Sequence, residues 1–139
     1  MKVKICVIVA NYYPIISKFL LVGANKVLKK KGIKSYKIIK TKGTYEIPVI
    51  ISKIIKKYDA FIALGCIIKG ETPHFKFISS STIDALMYLS IKNAKPIGNG
   101  IITSLNKKQA LVRSNPKLKD KGGEAAIAAL SVLKIRKWS

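Results

Sequence analysis

The sequence predicts an α/β protein, a three-layer α/β/α sandwich in which a four-stranded parallel sheet lies between helices. Four short apolar runs rich in β-branched residues alternate with segments whose apolar residues recur at helical spacing. The apolar runs are nearly continuous, which is typical of parallel strands that helices cover on both faces. Right-handed crossovers between such strands distribute the helices over both sides of the sheet.

Length and composition predict a single domain over residues 1–139, without a linker or an internal repeat. The chain is 49% apolar and long enough to bury a core without disulfides or a metal. Cys6 and Cys66 lie in apolar runs without metal-ligand spacing, so we expect buried thiols in a cytoplasmic protein. No segment resembles a signal peptide or a membrane span.

The first half of the chain alternates strand and helix. Strands and helices are predicted at residues 3–9, 16–31, 35–40, 43–57 and 60–64. The first helix stops beside Gly32, a residue suited to a helix C-cap. The second helix tolerates Pro48 in its first turn, where Glu46 suits the helix dipole.

The second half is predicted to contain a helix, a strand and two further helices, at residues 72–92, 97–103, 106–113 and 123–134. The inward face of the long helix is expected to carry Ile78, Ala85, Leu86 and Leu89. The inward face of the last helix is expected to carry Ala125, Ala128, Ala129, Val132 and Leu133. So many alanines predict close packing against a neighbouring element.

The stretch ALGCIIKGETPHFKF at residues 63–77 organises the rest of the chain. It runs from the third strand through a glycine turn, with Gly65 and Gly70, to Thr72 and Pro73, which can cap and start a helix. A strand, a turn and a helix N-terminus predict an anion site, because the first amides of a helix lack partners and the dipole is positive there. His74, the only histidine, follows at once. A lone histidine at a helix start is often only a surface residue or a cap, so its role stays open on this stretch alone.

Ligands of such sheets bind beyond the carboxyl ends of the strands. The segments expected to meet there are residues 11–13, 42–46 and 65–74 and the chain from 98 onward. Together they offer aromatic rings, a carboxylate, an anion site and a histidine. The sequence therefore predicts a pocket for a flat ring and a phosphate.

The formal net charge of +21 raises the question of a nucleic-acid partner, because 27 basic residues face 6 acidic ones. Only Arg113 and Arg136 are arginines, however, and nucleic-acid readers favour arginine for bidentate contacts. The lysines are scattered over helix faces, as AT-rich codons alone would produce. We interpret the charge mainly as a solvated surface.

Seven ordered blocks resemble one known family: GTYEIP (43–48), YDA (58–60), ALG (63–65), IKGETPHF (68–75), PIGNG (96–100), QA (109–110) followed by Arg113, and DKGGEAA (120–126). The family is 6,7-dimethyl-8-ribityllumazine synthase, and the resemblance covers nearly the whole chain. It implies a flavodoxin-like fold and the penultimate step of riboflavin synthesis. In that step 5-amino-6-(D-ribitylamino)uracil condenses with 3,4-dihydroxy-2-butanone 4-phosphate, without a metal or an organic cofactor.

The resemblance also implies roles for individual residues. The pyrimidine ring and the ribityl chain are held by Tyr12, Thr44, Tyr45, Glu46, Cys66, Ile67 and Ile68. The phosphate is held by Glu71, Thr72 and Arg113. His74 serves as the proton shuttle. Asn99 stands where many members carry an aromatic residue, and it offers hydrogen bonds in place of a stacking face.

A homo-pentamer is implied as well, because the sites of the family lie between adjacent subunits. Lys121 and Glu124 resemble positions that reach such a site, although helix capping explains them equally well. The sequence leaves open whether pentamers join into decamers or sixty-subunit shells. The expected partners are the two small-molecule substrates, with neither nucleic acid nor membrane.

Two other functional classes stay open. A lumazine-binding or flavin-binding relative without catalysis would keep the ring pocket but lose His74 or Arg113, and both are present. A basic nucleic-acid-binding protein would bind with strongly salt-dependent affinity and would need neither Glu46 nor His74.

Overall fold

The computed structural model describes residues 2–71 and 73–135. Its sheet contains the strands β1 (Ile5–Ala10), β2 (Lys37–Thr41), β3 (Ala60–Ile68) and β4 (Ile97–Ser104). The strand order is β2-β1-β3-β4, and every pair of neighbours is parallel. The α/β class and the parallel sheet predicted from sequence are confirmed.

Five helices cover the sheet: α1 (Pro14–Lys30), α2 (Ile47–Ile54), α3 (His74–Asn93), α4 (Lys107–Ser114) and α5 (Lys121–Ile135). A 3-10 turn, Thr44–Glu46, leads into α2. Within the described ranges, no helix is long and apolar enough to cross a membrane.

The core has two layers, one on each face of the sheet. All six residues of β1 are buried, and their side chains alternate between the layers. Val7 and its neighbours on one face pack against α1 and α5, whereas Cys6 and Ile8 on the other face pack against α2 and α3. This double coverage explains the nearly continuous apolar run of the central strand.

Helices α1 and α5 pack very closely. A Cβ atom on Gly122 would collide with the carbonyl group of Leu20, and one on Gly23 would collide with the Asp120 carboxylate. The close packing predicted from the alanines is therefore confirmed. The predicted face was partly wrong, because Ala128 and Val132 are exposed. The buried stripe instead consists of Gly122, Gly123, Ala125, Ala126, Ala129 and Leu133.

Strand β3 is longer than the sequence predicted. It continues to Ile68, and Gly65 lies inside it, paired with Ile101 of β4. The prediction was therefore wrong for Gly65, whereas Gly70 does follow the strand. A glycine is required at position 65 because a Cβ atom would lie 2.7 Å from the Thr44 hydroxyl oxygen. The ladder with β4 thus outweighs the turn propensity of glycine.

Helix α3 begins at His74, with Pro73 as a cap residue whose side chain accepts no hydrogen bond. The predicted cap, Thr72, lies outside the described residues. Of the residues expected to face inward, Leu86 is buried, whereas Ile78, Ala85 and Leu89 are half-buried. Helix α2 ends at Ile54 instead of residue 57.

Candidate functional site

The carboxyl end of β1 presents an aromatic pair. Tyr12 and Tyr13 meet edge to face, with ring centroids 4.9 Å apart and an interplanar angle of 77°. Tyr12 is exposed, whereas Tyr13 is half-buried. Burial raises the pKa of Tyr13, so its phenol stays protonated at neutral pH. Tyr13 thus supports the ring of Tyr12, which keeps a free face for a flat ligand.

The turn Thr44–Glu46 presents the next group of side chains. Thr44 is buried against Gly65 of β3, so its role in the turn is to attach it to the sheet. The Glu46 carboxylate folds back over Gly43, where any Cβ atom would collide with it. Tyr45 is exposed. The turn thus presents a carboxylate and an aromatic ring together at the edge of the sheet.

A cleft of about 290 Å³ lies beside this turn and is lined by Tyr45, Glu46, Pro48, Val49, Ser81, Thr82 and Ala85. Thr82 is only 1% exposed, and its hydroxyl oxygen has no hydrogen-bond partner within the described part of the chain. Sequence reasoning missed Ser81 and Thr82. The available signal was the run of hydroxyl residues at 79–82, in a helix expected to be apolar on its inner face.

The end of β3 continues toward His74. Burial raises the pKa of the Cys66 thiol to about 12, so this side chain is protonated at neutral pH and contributes shape instead of a nucleophile. Ile67 and Ile68 are half-buried, and Glu71 is exposed. The side chain of His74 is exposed at the first position of α3, whose first turn contains no acidic residue.

A second group of predicted residues surrounds the free edge of β4. Arg113, in the last turn of α4, donates a hydrogen bond of 2.9 Å from Nη1 to the carbonyl oxygen of Thr103. Lys121 and Glu124, in the first turn of α5, form an ion pair of 3.4 Å. These residues line an open cleft of about 540 Å³.

Asn99 does not lie where the sequence predicted. It is the third residue of β4, and the strand continues to Ser104, so about 16 Å of strand separates Asn99 from the carboxyl edge. Its Oδ1 accepts a hydrogen bond of 3.0 Å from the backbone N–H of Ile101. The side chain is nevertheless exposed.

The predicted site residues form two groups, and Arg113 holds the second at the carboxyl end of β4, where its partner Thr103 pairs with Ile67 of β3. Tyr12, Thr44–Glu46, the end of β3 and His74 lie at the carboxyl edge of the sheet. The described residues that line the cleft of Arg113 include neither His74 nor Glu46, and those that line the cleft of Glu46 do not include Arg113. Among the described residues, the two clefts have no lining residue in common.

Comparison with known proteins shows to which family the chain belongs. A sequence profile described as 6,7-dimethyl-8-ribityllumazine synthase matches residues 2–137. The chain belongs to this family. A lumazine synthase from Buchnera aphidicola subsp. Acyrthosiphon pisum (strain Tuc7) is 44% identical over an alignment 139 residues long. The alignment covers 96% of this chain and 87% of the relative. One from Novosphingobium aromaticivorans is 40% identical, covering 98% of this chain and 99% of the relative.

A more distant lumazine synthase, from Mycobacterium leprae (strain Br4923), is 35% identical over 130 residues and covers 92% of this chain and 81% of the relative. Membership of the lumazine synthase family makes this chain an enzyme of riboflavin biosynthesis. The alternatives of a non-catalytic relative and of a nucleic-acid-binding protein gain no support from these comparisons.

Proposed function

We propose that the protein condenses 5-amino-6-(D-ribitylamino)uracil with 3,4-dihydroxy-2-butanone 4-phosphate in the cytoplasm, giving 6,7-dimethyl-8-ribityllumazine, inorganic phosphate and water. The observation that carries this proposal is the family match over residues 2–137, in a chain that also contains His74 and Arg113. Both residue types suit the chemistry, because the reaction moves protons and releases a phosphate.

The pyrimidine substrate binds at the carboxyl edge of the sheet. Tyr12 and Tyr45 are both more than half exposed there, which leaves their rings free to stack on a flat heterocycle. The Glu46 carboxylate accepts hydrogen bonds from ring N–H groups or ribityl hydroxyls. The backbone of Cys66, Ile67 and Ile68 borders the ring, and Thr44 holds the turn in place.

The phosphate of the second substrate binds to Arg113 and to the backbone at Glu71 and Thr72. The bond from Nη1 to Thr103 fixes the guanidinium and leaves its other N–H groups for a bidentate contact with phosphate oxygens. Asn99, exposed farther along β4, offers hydrogen bonds to the substrate at a site shared with a neighbouring subunit. Lys121 adds positive charge beside Arg113.

His74 moves the protons. The primary amine attacks the ketone, and water leaves as an imine forms. Removal of a proton from the carbon next to the imine then expels phosphate and leaves an enol, which tautomerises to a carbonyl. Attack by the second amine on this new carbonyl closes the ring with loss of water. The exposed imidazole of His74 can accept the proton from the carbon next to the imine and return a proton to a leaving oxygen. Holding the two substrates together supplies much of the remaining acceleration.

The active enzyme is a homo-pentamer in which each site combines two subunits. The different linings of the clefts of Glu46 and Arg113 support this assembly, because a neighbouring copy can bring the second group of residues to the first. Helix α3 also exposes Phe77, Met87, Tyr88 and Ile91 within an arc of about 100°, an apolar face suited to contact with another subunit.

Turnover tests the proposed function. Purified protein, His74→Ala and Arg113→Ala are mixed with both substrates, and lumazine absorbance is followed beside a protein-free control. A Lys53→Gln variant, changed at an exposed lysine of α2, serves as the matched control. We expect wild type and the control to accelerate the reaction and the two site variants to lose most of that acceleration. A folded wild type that gives no acceleration contradicts the proposal.

Complementation tests the shared site. When His74→Ala and Arg113→Ala subunits are co-expressed in equal amounts, random mixing around a ring leaves about one quarter of the sites with both native residues. We therefore expect about one quarter of wild-type activity from the mixture and very little from either variant alone. Activity no higher than the mean of the two variants means that one subunit supplies both residues.

A further inference from the structure

The cleft at the free edge of β4 is strongly cationic. The residues that line it include the cations Lys108, Arg113, Lys119 and Lys121, with Glu124 as the single acidic side chain. Glu124 is already engaged in the ion pair with Lys121. Lys108 and Lys119 are both exposed and have no assigned role in the proposed reaction.

Helix stability does not explain the position of Lys108. It lies in the first turn of α4, where the dipole is positive and a cation is unfavourable, and no acidic residue occupies that turn. The opposite arrangement is found in α1, whose Lys29 and Lys30 lie in the last turn, where the dipole favours them. Both ends of α4 border the cleft, so its dipole adds little there, whereas the positive end of α5 adds to the potential of the cleft.

The loop after α4 holds Lys119 in place through backbone hydrogen bonds. The N–H of Lys119 donates to Val112 at 3.2 Å, and the N–H of Asp120 donates to Asn115 at 3.1 Å. Asp120 in turn caps α5 by accepting a bond of 3.2 Å from the N–H of Gly123. The side chain of Lys119 therefore leaves an ordered backbone at the rim of the cleft.

We propose that Lys108 and Lys119 extend the phosphate site into a cationic cleft that captures the phosphorylated substrate and guides it to Arg113. This inference rests on the proposed function for the identity of the anion. A phosphate monoester carries a charge of about −1.5 to −2 at pH 7, whereas the ribitylaminouracil has no phosphate. Because only one of the two substrates carries this charge, the cleft acts on that substrate selectively.

Steady-state kinetics at low ionic strength test the cleft. The Lys108→Gln/Lys119→Gln double variant is compared with Lys29→Gln/Lys34→Gln, which removes the same charge from exposed lysines in and after the last turn of α1. For the first variant we expect KM for the butanone phosphate to rise about three- to tenfold, while KM for the pyrimidine and kcat change less than about twofold. The difference should fade near 0.5 M salt, where the screening length falls to about 4 Å.

Two kinetic outcomes overturn the proposal. An equal rise of KM in the control pair would mean that net charge alone attracts the substrate, and an unchanged KM in the first variant would mean that the cleft is not used. Calorimetry with inorganic phosphate separates this inference from the proposed function. Weaker phosphate binding by Lys108→Gln/Lys119→Gln supports the cleft even if wild type shows no turnover, and equal binding by both proteins contradicts it.

Discussion

The Nη1 atom of Arg113 donates a hydrogen bond of 2.9 Å to the carbonyl oxygen of Thr103. This bond ties the end of α4 to β4, the edge strand of the sheet. One side of the planar guanidinium is thereby fixed, and its remaining donors keep a defined orientation at the cleft. An ammonium group with rotatable donors cannot satisfy both the carbonyl and a phosphate in this way.

Replacing Arg113 by lysine therefore separates charge from geometry. Arg113→Lys keeps the charge but loses the bidentate contact, so we expect kcat/KM for the butanone phosphate to fall about tenfold, equivalent to about 1.4 kcal/mol. Arg113→Ala loses both the charge and the bidentate contact, so its kcat/KM should be lower by a further factor of about ten. Initial rates at saturating pyrimidine measure both values. Equal activity of Arg113→Lys and wild type would show that charge alone suffices.

Gly122 is required where α5 crosses α1. An added Cβ atom would collide with the Leu20 carbonyl oxygen and lie 2.8 Å from its carbon, and neither backbone atom can rotate away. We expect Gly122→Ala to lower the free energy of unfolding by about 1–3 kcal/mol, measured by urea denaturation. Gly70→Ala is the matched control, because its Cβ atom meets nothing within 4 Å. A similar effect of both substitutions would contradict the packing shown for α1 and α5.

Ala94 ends α3 in a left-handed conformation, with φ 51° and ψ 43°. The Cβ atom of any residue other than glycine makes this conformation unfavourable by about 1 kcal/mol relative to glycine. We therefore expect Ala94→Gly to raise the free energy of unfolding by about 0.5–1 kcal/mol. Ala128→Gly, the same substitution at an exposed position inside α5, should lower it by about 1 kcal/mol. Destabilisation by Ala94→Gly would contradict the assignment of strain to this cap.

The Cys66 thiol makes stability depend on pH above neutrality. Burial raises its pKa from the ordinary value of 9.0 to about 12, so the folded state holds the proton over a range in which the unfolded chain releases it. The resulting stability is fully present below pH 9 and is lost as the pH rises toward 12. Wild type should lose about 1 kcal/mol more than Cys66→Ala between pH 8 and pH 10.

Urea denaturation of both proteins at the two pH values measures this difference, and lysine titration largely cancels because the two chains share all their lysines. Cys6, whose pKa is raised by burial to about 11, should behave similarly in a Cys6→Ala variant. Both native thiols should also react slowly with a disulfide reagent at pH 8 and rapidly after unfolding. Fast labelling of the native protein would show that these side chains are accessible.

Much of the fold was predictable because it follows from local patterns of apolar residues in the sequence. The all-buried run of β1 and the helical spacing along α1 each reflect contacts that repeat within a few residues. The ends of the strands and helices were harder to predict, because they depend on residues that are distant in sequence. Gly65 favours a turn locally, yet it continues β3 because Ile101 of β4 pairs with it. The exposure of Ala128 likewise depends on how α5 lies on α1, where Gly122 approaches Leu20 closely.

The sequence by itself determined the α/β class, the alternation of elements and the residues of the lumazine synthase pattern, because these follow from periodicity and from short blocks. Only the tertiary structure decided the strand order, the different clefts that Glu46 and Arg113 line, and the meeting of Lys108 and Lys119 in the cleft of Arg113. Lys108 and Lys119 belong to different segments, one in the first turn of α4 and one in the loop after it. Their proximity depends on the packing of α4 and α5 against β4, which no local pattern encodes.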